Sequence, residues 1–448
     1  MRLSMEVNKM KLTQNIIVIG AGHGGLRAAK LLAAAGANVT VYEKSSYEGI
    51  SHDRTDCIEM KLFKDLGLSV PEKSYKGAPC SFIAPYSKDA LHIWMDEDAR
   101  DMTVERDKFA QMLIDEAETA GAKFCFETEV QDIILDGIRV CGVIVGGEKI
   151  YADLVIDASG MFSPFRAKIP SVCGITAEPH EDEIFSTWHG SFDYAEGVPV
   201  PEGKNIWKVY LKFMGKKGIS WVNTERDNDA AVLIGLIGRH KEEEFDQLLQ
   251  ELRRENPIIG DKLIRGGAYA PITVRYQSSV LVSEGYCLVG DSGFMTIPLL
   301  GSGIANSIRA GQMLSEEIIK TGSVSTFTLW NYQRRYFKEI GAISCIIDSF
   351  KRALLEMDNA ELKYFFESDI VRDEDVKFLF GGPSVKYDAA DIIRRLKNLL
   401  HIRTAMGVIG KAIARGIVAA ELCLTLPKKY DLVAINRWSK KLDGVFSK

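Results

Sequence analysis

The 448-residue sequence predicts an α/β fold, α+β overall, and three observations carry it. The chain opens with an apolar run, a glycine turn, a small-residue helix and a second apolar run. Its middle alternates aromatic and β-branched runs with turn residues. Beyond Gly322 it turns to charged amphipathic patterns.

Ile16 to Ile19 are continuously apolar, as a strand covered on both faces requires, and the turn follows as Gly20-Ala21-Gly22-His23-Gly24-Gly25. Gly20 permits the tight turn, Gly22 lets backbone approach a pyrophosphate, and Gly25 lets the next helix sit close to the sheet. The helix repeats small apolar residues at Ala29, Leu32 and Ala33 and stops near Gly36. Its N-terminus offers free N–H groups to phosphate, each such interaction worth ~0.3 to 1 kcal/mol at a surface. The second strand ends at Glu43-Lys44, where the Glu43 carboxylate suits two ribose hydroxyls and repels a 2′-phosphate. This is a Rossmann-like βαβ opening for an adenine dinucleotide. The turn alone leaves NAD and FAD both open.

Thr103 to Ile133 reads as a further helix, with Phe109, Leu113 and Ala117 at helical spacing, then a strand. Two strands joined by Gly146-Gly147 and a last apolar strand, Leu154 to Ile156, follow. Phe185 to Gly238 then has the pattern of an inserted antiparallel sheet. One amphipathic helix, EEEFDQLLQELRREN, turns Phe245, Leu248, Leu249 and Leu252 inward. Strand, Gly-Asp, irregular loop, a second glycine cluster and a helix come in that order from Gly285 to Ile319. The expected division is therefore a discontinuous dinucleotide unit (13–48, 100–175 and 275–320), a β-rich substrate unit (49–99 and 176–274) and a helical C-terminal region (321–448).

Net charge is −5, with no block of like charges for a nucleic-acid arm. The eight cysteines are scattered without a C-x-x-C pair, and the histidines lack ligand spacing, so no metal or cluster is expected. Free thiols suit a reducing cytoplasm. The basic N-terminal run makes a poor secretory signal, and no uncharged apolar run reaches bilayer-spanning length. The nearest approach, TAMGVIGKAIARGIVAAELCLTL, is broken by Lys411, Arg415 and Glu421, leaving helix packing or peripheral membrane contact.

Four separated signatures coincide: GAGHGG with Glu43, VERDKF containing Arg106, DLVIDASGMFSPFR, and LVGDSGFMTIPLLGSGIANSI. Together they resemble the FAD-dependent oxidoreductases of the para-hydroxybenzoate hydroxylase fold. GISWV at 218–222, the AAVLIGLIG after it and GGAYAPI at 266–272 are similar to the geranylgeranyl reductase family. The resemblance implies FAD as cofactor, Asp291 on its ribityl chain or pyrophosphate, Arg106 reaching it from a helix, and Val130 beside the adenine. It also implies that Gly301, Ser302, Gly303 and Ile304 bring a helix N-terminus to the flavin pyrimidine, where backbone N–H groups favour the reduced form.

Cys57 falls near a cysteine that the family places beside the flavin, but Ile58 and Glu59 stand where glycines usually follow, so a plain buried thiol is the competing reading. Trp221 fits either the substrate cavity or the core of the sheet, and His23 either the pyrophosphate or a tolerated turn position. The implied activity is reduction of isoprenoid C=C bonds with an external electron donor, NAD(P)H or a reduced ferredoxin or flavoprotein. A flavin monooxygenase or halogenase and an electron-transfer flavoprotein without its own organic substrate are the alternatives.

Overall fold

The computed structural model describes residues 11–78, 80–88, 90–93, 101–226, 228–375 and 389–447. Expectations for the first ten residues, for 94–99 and for 376–388 lie outside them. The apolar run Asn15–Ile19 is the centre of a six-stranded sheet, flanked by Asn38–Tyr42 and Leu154–Asp157, both parallel to it. Lys123–Cys125 and Tyr286–Leu288 extend the sheet on its two sides, and Val282–Ser283 closes one edge as an antiparallel hairpin. Ile16 to Ile19 are buried throughout, because the crossover helices His23–Ala34 and Arg106–Thr119 and the helices after residue 304 cover this sheet.

A small antiparallel meander, Val130–Asp136, Arg139–Val145 and Glu148–Tyr151, hangs from the sheet. It turns at Gly146-Gly147, both left-handed, as the sequence indicates. The second large sheet has seven strands in the order Ile259–Thr273, Ile184–Tyr194, Asp229–Ile237, Gly218–Asn223, Trp207–Leu211, Cys80–Ile83 and Ala90–Ile93. It is antiparallel except where Trp207–Leu211 runs parallel to Cys80–Ile83. Its longest strand, Ile259–Thr273, was not foreseen as a strand, because Gly260, Gly266 and Gly267 interrupt the apolar pattern.

Alternation divides the faces of this sheet. Phe192, Val222, Val232 and Ile234 pack on the helix Glu242–Glu255, whose inward residues Phe245, Leu248, Leu249 and Leu252 are those expected. Phe185, Thr187, His189, Ile219 and Trp221 take the other face, toward the dinucleotide sheet. The short strand pair Thr55–Ile58 and Met102–Glu105 lies between the two sheets. The chain ends in helices, chiefly Ala342–Glu356, Asn359–Glu367, Ala389–Leu399, Arg403–Leu424 and Leu432–Phe446. Among the described residues no helix is long and apolar enough to cross a membrane.

Candidate active site

Gly20 adopts φ +82, which a side chain disfavours, and a Cβ there would lie 2.8 Å from the Ala158 carbonyl oxygen. A Cβ on Gly22 would meet the same oxygen, and one on Gly25 would meet Ala158 Cβ and Val18. The turn is thus folded onto the end of the neighbouring strand. Asp157 holds that strand end in place. One of its oxygens accepts Ser159 N–H at 3.0 Å and Ser159 Oγ–H at 2.6 Å, and the other accepts Tyr286 O–H at 2.5 Å and Ser163 O–H. The DASG signature is therefore the floor under the glycine turn.

The first turn of the helix His23–Ala34 packs across the first two turns of Ile304–Thr321, between Ser307 and Gly311. A Cβ on Gly24 would sit 2.5 Å from Ser307 O, and one on Gly311 would overlap Gly24 O. Neither helix has a side-chain cap, neither has an acid in its first turn, and their N-caps are Gly22 and Gly303. Two sets of uncapped N–H groups therefore converge, which is the donor arrangement an anion needs. Gly303 abuts Asp291, since a Cβ there would lie 3.0 Å from Asp291 Oδ1. Arg166, buried beneath, donates to Ser292 O at 2.9 Å and to Met161 O at 2.5 Å, and its guanidinium covers the Phe294 ring.

Glu43 is buried, and its two oxygens accept backbone N–H groups of Ala21 and Ser45, each at 2.8 Å. The carboxylate is thereby aimed at the turn from the end of the second strand. Lys44 beside it is exposed. Val130 is buried at the start of the meander.

Between the two sheets lies a charged cluster that the sequence only partly revealed. Arg106 Nη1 donates to Asp56 Oδ2 at 2.8 Å, and Arg106 N–H donates to Arg54 O at 3.0 Å. Burial resists ionisation of Asp56, but the Arg106 and Arg54 guanidiniums outweigh it and hold the carboxyl below its ordinary value. Asp291 feels the same two cations, yet burial dominates and raises it. Burial also lowers His23 to about 3 and His189 to about 3, with Arg106 and Arg54 respectively adding to the effect, so both rings are neutral at pH 7.

Both ring nitrogens of His189, His23 Nε2 and Trp207 Nε1 are buried without a protein hydrogen-bond partner, and Arg54 Nε makes no hydrogen bond, only a 3.9 Å ion pair with Asp56. His189 packs edge-on against Trp221 at 5.2 Å, and Trp221 against Trp207 at 5.9 Å, forming an aromatic wall opposite the cations. Buried polar atoms left unpaired by protein mark where a polar ligand belongs. Converging helix ends, a carboxylate at the second strand and this set of donors together fit an adenine dinucleotide carrying a polar, planar ring.

Over residues 13–323 the sequence matches the family described as FAD binding domain. The chain belongs to that family. It is an FAD-dependent oxidoreductase, and FAD is its cofactor. A curated relative, the digeranylgeranylglycerophospholipid reductase of Sulfolobus acidocaldarius, is 22% identical, with 98% of each chain covered. A second, digeranylgeranylglycerophospholipid reductase 2 of Methanopyrus kandleri, is 24% identical over 86% of this chain and 97% of its own. Among solved structures, a geranylgeranyl bacteriochlorophyll reductase-like protein from Thermoplasma acidophilum superposes with a TM-score of 0.70 at 18% identity. That superposition covers 88% of this chain and 99% of the other, and it establishes the fold.

The structure gathers His23, Arg106, Asp291 and the residues from Gly301 to Ile304 at one place. It does not bring Cys57 to the Asp56 face. Neighbours on a strand point oppositely, and Cys57 Sγ lies 3.5 Å from Thr103 Oγ1, with its thiol pushed well up by burial and by Glu225. Sequence reasoning missed Arg54, Asp56 and His189. The signal for the first two was their place in RTDC, a strand paired with the one that ends in Arg106. His189 carried none, because a lone histidine in a β-run most often packs in a core.

Proposed function

We propose that this flavoenzyme reduces carbon–carbon double bonds of an isoprenoid lipid, taking electrons from an external donor of the NAD(P)H or reduced ferredoxin or flavoprotein type. One observation carries the reading. A narrow apolar cavity of about 50 Å³ lies between the inner face of the seven-stranded sheet, the loop Pro298-Leu299 and the C-terminal helices. Its walls include Phe185, Leu211, Ile219, Leu299, Leu354 and Leu362. The apolar lining, rather than the size, of this cavity beside the flavin loop suits a hydrocarbon group and offers little to a charged metabolite. The names of the curated relatives, digeranylgeranylglycerophospholipid reductases, support the same substrate class.

In this reading FAD, when bound, supplies two-electron hydride chemistry. In this division residues 13–48, 100–175 and 275–320 form the FAD-binding unit, 49–99 and 176–274 the substrate unit and 321–448 the helical C-terminal region, and the cavity is walled by described residues of the second and third, such as Phe185, Ile219, Leu354 and Leu362, with Pro298 and Leu299 of the first. Glu43 accepts the ribose hydroxyls, with Lys44 outside and Val130 near the adenine. The uncapped turns at Gly20 to Gly25 and at Gly301, Ser302, Gly303 and Ile304 donate backbone N–H groups to the pyrophosphate and to the pyrimidine edge. Arg106 and Asp291 fix the region between them. His189 and Trp221 wall the site on the sheet side and exclude water, and Cys57 stays a structural thiol.

The test is anaerobic reduction of the purified FAD-loaded enzyme in the presence of geranylgeranyl lipids. A mass gain of two hydrogens per double bond is expected. Lipids left fully unsaturated would overturn the proposal, and oxygen consumption coupled to a hydroxylated product would put a monooxygenase in its place.

A further inference from the structure

The helix Arg403–Leu424 packs closely on Ala342–Glu356, with Ala412, Ala419 and Cys423 buried there. Its opposite face is bare. Ile413 is 59% exposed, Ile417 62% and Leu424 54%, and their spacing places them in one stripe along the helix. Ile346 of the neighbouring helix, 44% exposed and close to Gly416, widens the stripe. The preceding helix Ala389–Leu399 bares an apolar face of its own, with Ile393, Leu396 and, just beyond its end, Leu400, each more than half exposed. Scattered apolar residues on a surface need no explanation, whereas an apolar stripe on each of two successive helices does.

Charge narrows the occupant. The segment 389–424 holds six Lys or Arg against two carboxylates, in a chain whose overall charge is −5. Arg394 and Arg395 are engaged by Asp369, Asp391 and Asp375. Lys411 and Arg415 stand one turn apart at the far edge of the same helix's exposed arc, across Ala414 and Val418 from the isoleucines, and Lys397 stands near the end of the shorter helix. An apolar face edged by cations matches a bilayer with anionic headgroups, into which the side chains sink while the cations meet phosphate.

Position supplies the second argument. Ile402, Ala405 and Ile409, at the start of the same long helix, belong to the apolar cluster of Leu211, Leu354 and Leu362 that walls the cavity. One helix therefore backs the cavity at one end and leaves an apolar stripe bare along the rest. We propose that the outward face of the helix pair Ala389–Leu399 and Arg403–Leu424 docks on an anionic lipid surface and presents the cavity side of the molecule to it. The docking stands on these observations alone. Its use in delivering substrate rests on the isoprenoid reading above.

The FAD-loaded full chain is sedimented with vesicles of phosphatidylcholine, with and without an anionic phosphatidylglycerol fraction. Binding is expected chiefly to the anionic vesicles and to weaken with salt. Ile413→Asp with Ile417→Asp, and separately Lys411→Glu with Arg415→Glu, are each expected to lower vesicle binding by about tenfold or more, with flavin absorbance and melting temperature retained. Equal binding by wild type and both double variants would overturn the proposal. So would a wild-type dimer that does not bind vesicles and that the isoleucine variants convert to monomer, since the stripe would then be an interface between copies. If the variants lose vesicle binding while the wild type leaves isoprenoid lipids unsaturated, the docking surface stands and the substrate reading falls.

Discussion

Arg106 and Asp56 meet at 2.8 Å between the two large sheets, each side chain about one quarter exposed. The contact joins the first turn of the helix Arg106–Thr119 to the strand Thr55–Ile58, and among the described residues Arg54 is the next ion-pair partner of that carboxylate, at 3.9 Å. Arg106→Ala therefore leaves Asp56 poorly compensated and removes a donor from the cofactor region. A loss of about 1–3 kcal/mol in FAD binding is expected, read by titration of flavin fluorescence. Arg106→Lys keeps the charge without the planar fork and should fall between wild type and alanine. Unchanged FAD affinity in the alanine variant would remove Arg106 from the site.

The Gly24–Gly311 crossing predicts a contrast between glycines. Gly311→Ala forces apart two helices that touch backbone to backbone, costing about 1–3 kcal/mol or more and loosening FAD. Gly407 lies in a helix with nothing near its missing Cβ. Gly407→Ala should therefore stabilise by roughly 0.5–1 kcal/mol. Denaturant melts of the two variants would move in opposite directions.

His189 makes stability depend on pH. Its folded-state value of about 3 lies below the ordinary 6.5, so its contribution is fully present above 6.5 and is lost as pH falls toward 3. Within that window the slope is about 1.4 kcal/mol per pH unit for one proton. Replacing the ring in His189→Phe should flatten the fall in melting temperature between pH 7 and pH 5. A variant with the wild-type slope would show that the ring is protonated in the folded state.

Ile219 lines the cavity from the sheet side. Ile219→Trp fills the space, and kcat/KM for a long isoprenoid chain should fall by about tenfold or more while a short one is spared and FAD content stays the same. An equal loss for both lengths would place the substrate elsewhere.

Glu183 takes Arg275 at 2.8 Å and Arg352 at 2.9 Å in the interior, tying the end of the β-rich insertion to the C-terminal helix Ala342–Glu356. Glu183→Gln removes the carboxylate that both guanidiniums share and leaves Arg352 with Asp348 at 3.2 Å. A loss of about 3–5 kcal/mol in urea unfolding is expected. A value under 1 kcal/mol would mean that Asp348 alone balances the cluster.

The opening βαβ unit was legible because each of its parts has a local cause: a glycine that must turn, a strand that must be apolar and a carboxylate at a set distance. The helix Glu242–Glu255 was legible for the same reason, its apolar spacing being a property of one segment. The strand Ile259–Thr273 was not, because its pairing with Ile184–Tyr194 outweighs three glycines and nothing local records that. Asp157 and Arg166 could be picked out as part of a signature, but what they do, propping Ala158 under the turn and pinning Ser292, appears only when strands far apart in sequence lie side by side. His189 acquires its surroundings from four separate stretches of chain. A residue of that kind has no signature of its own.

The strand Asn15–Ile19 is one place from Tyr286–Leu288 across Leu154–Asp157, and the helix after it is locked to residue 311. A ribosome adding roughly 5–20 residues per second needs ~15 to 60 s to reach the last partner after making the first. Throughout that interval the nascent N-terminal unit exposes an unfinished sheet edge while the insertion has time to fold alone. Prosthetic-group loading is therefore a late event in biogenesis, and a truncated chain ending before the closing helix should emerge colourless and prone to aggregate.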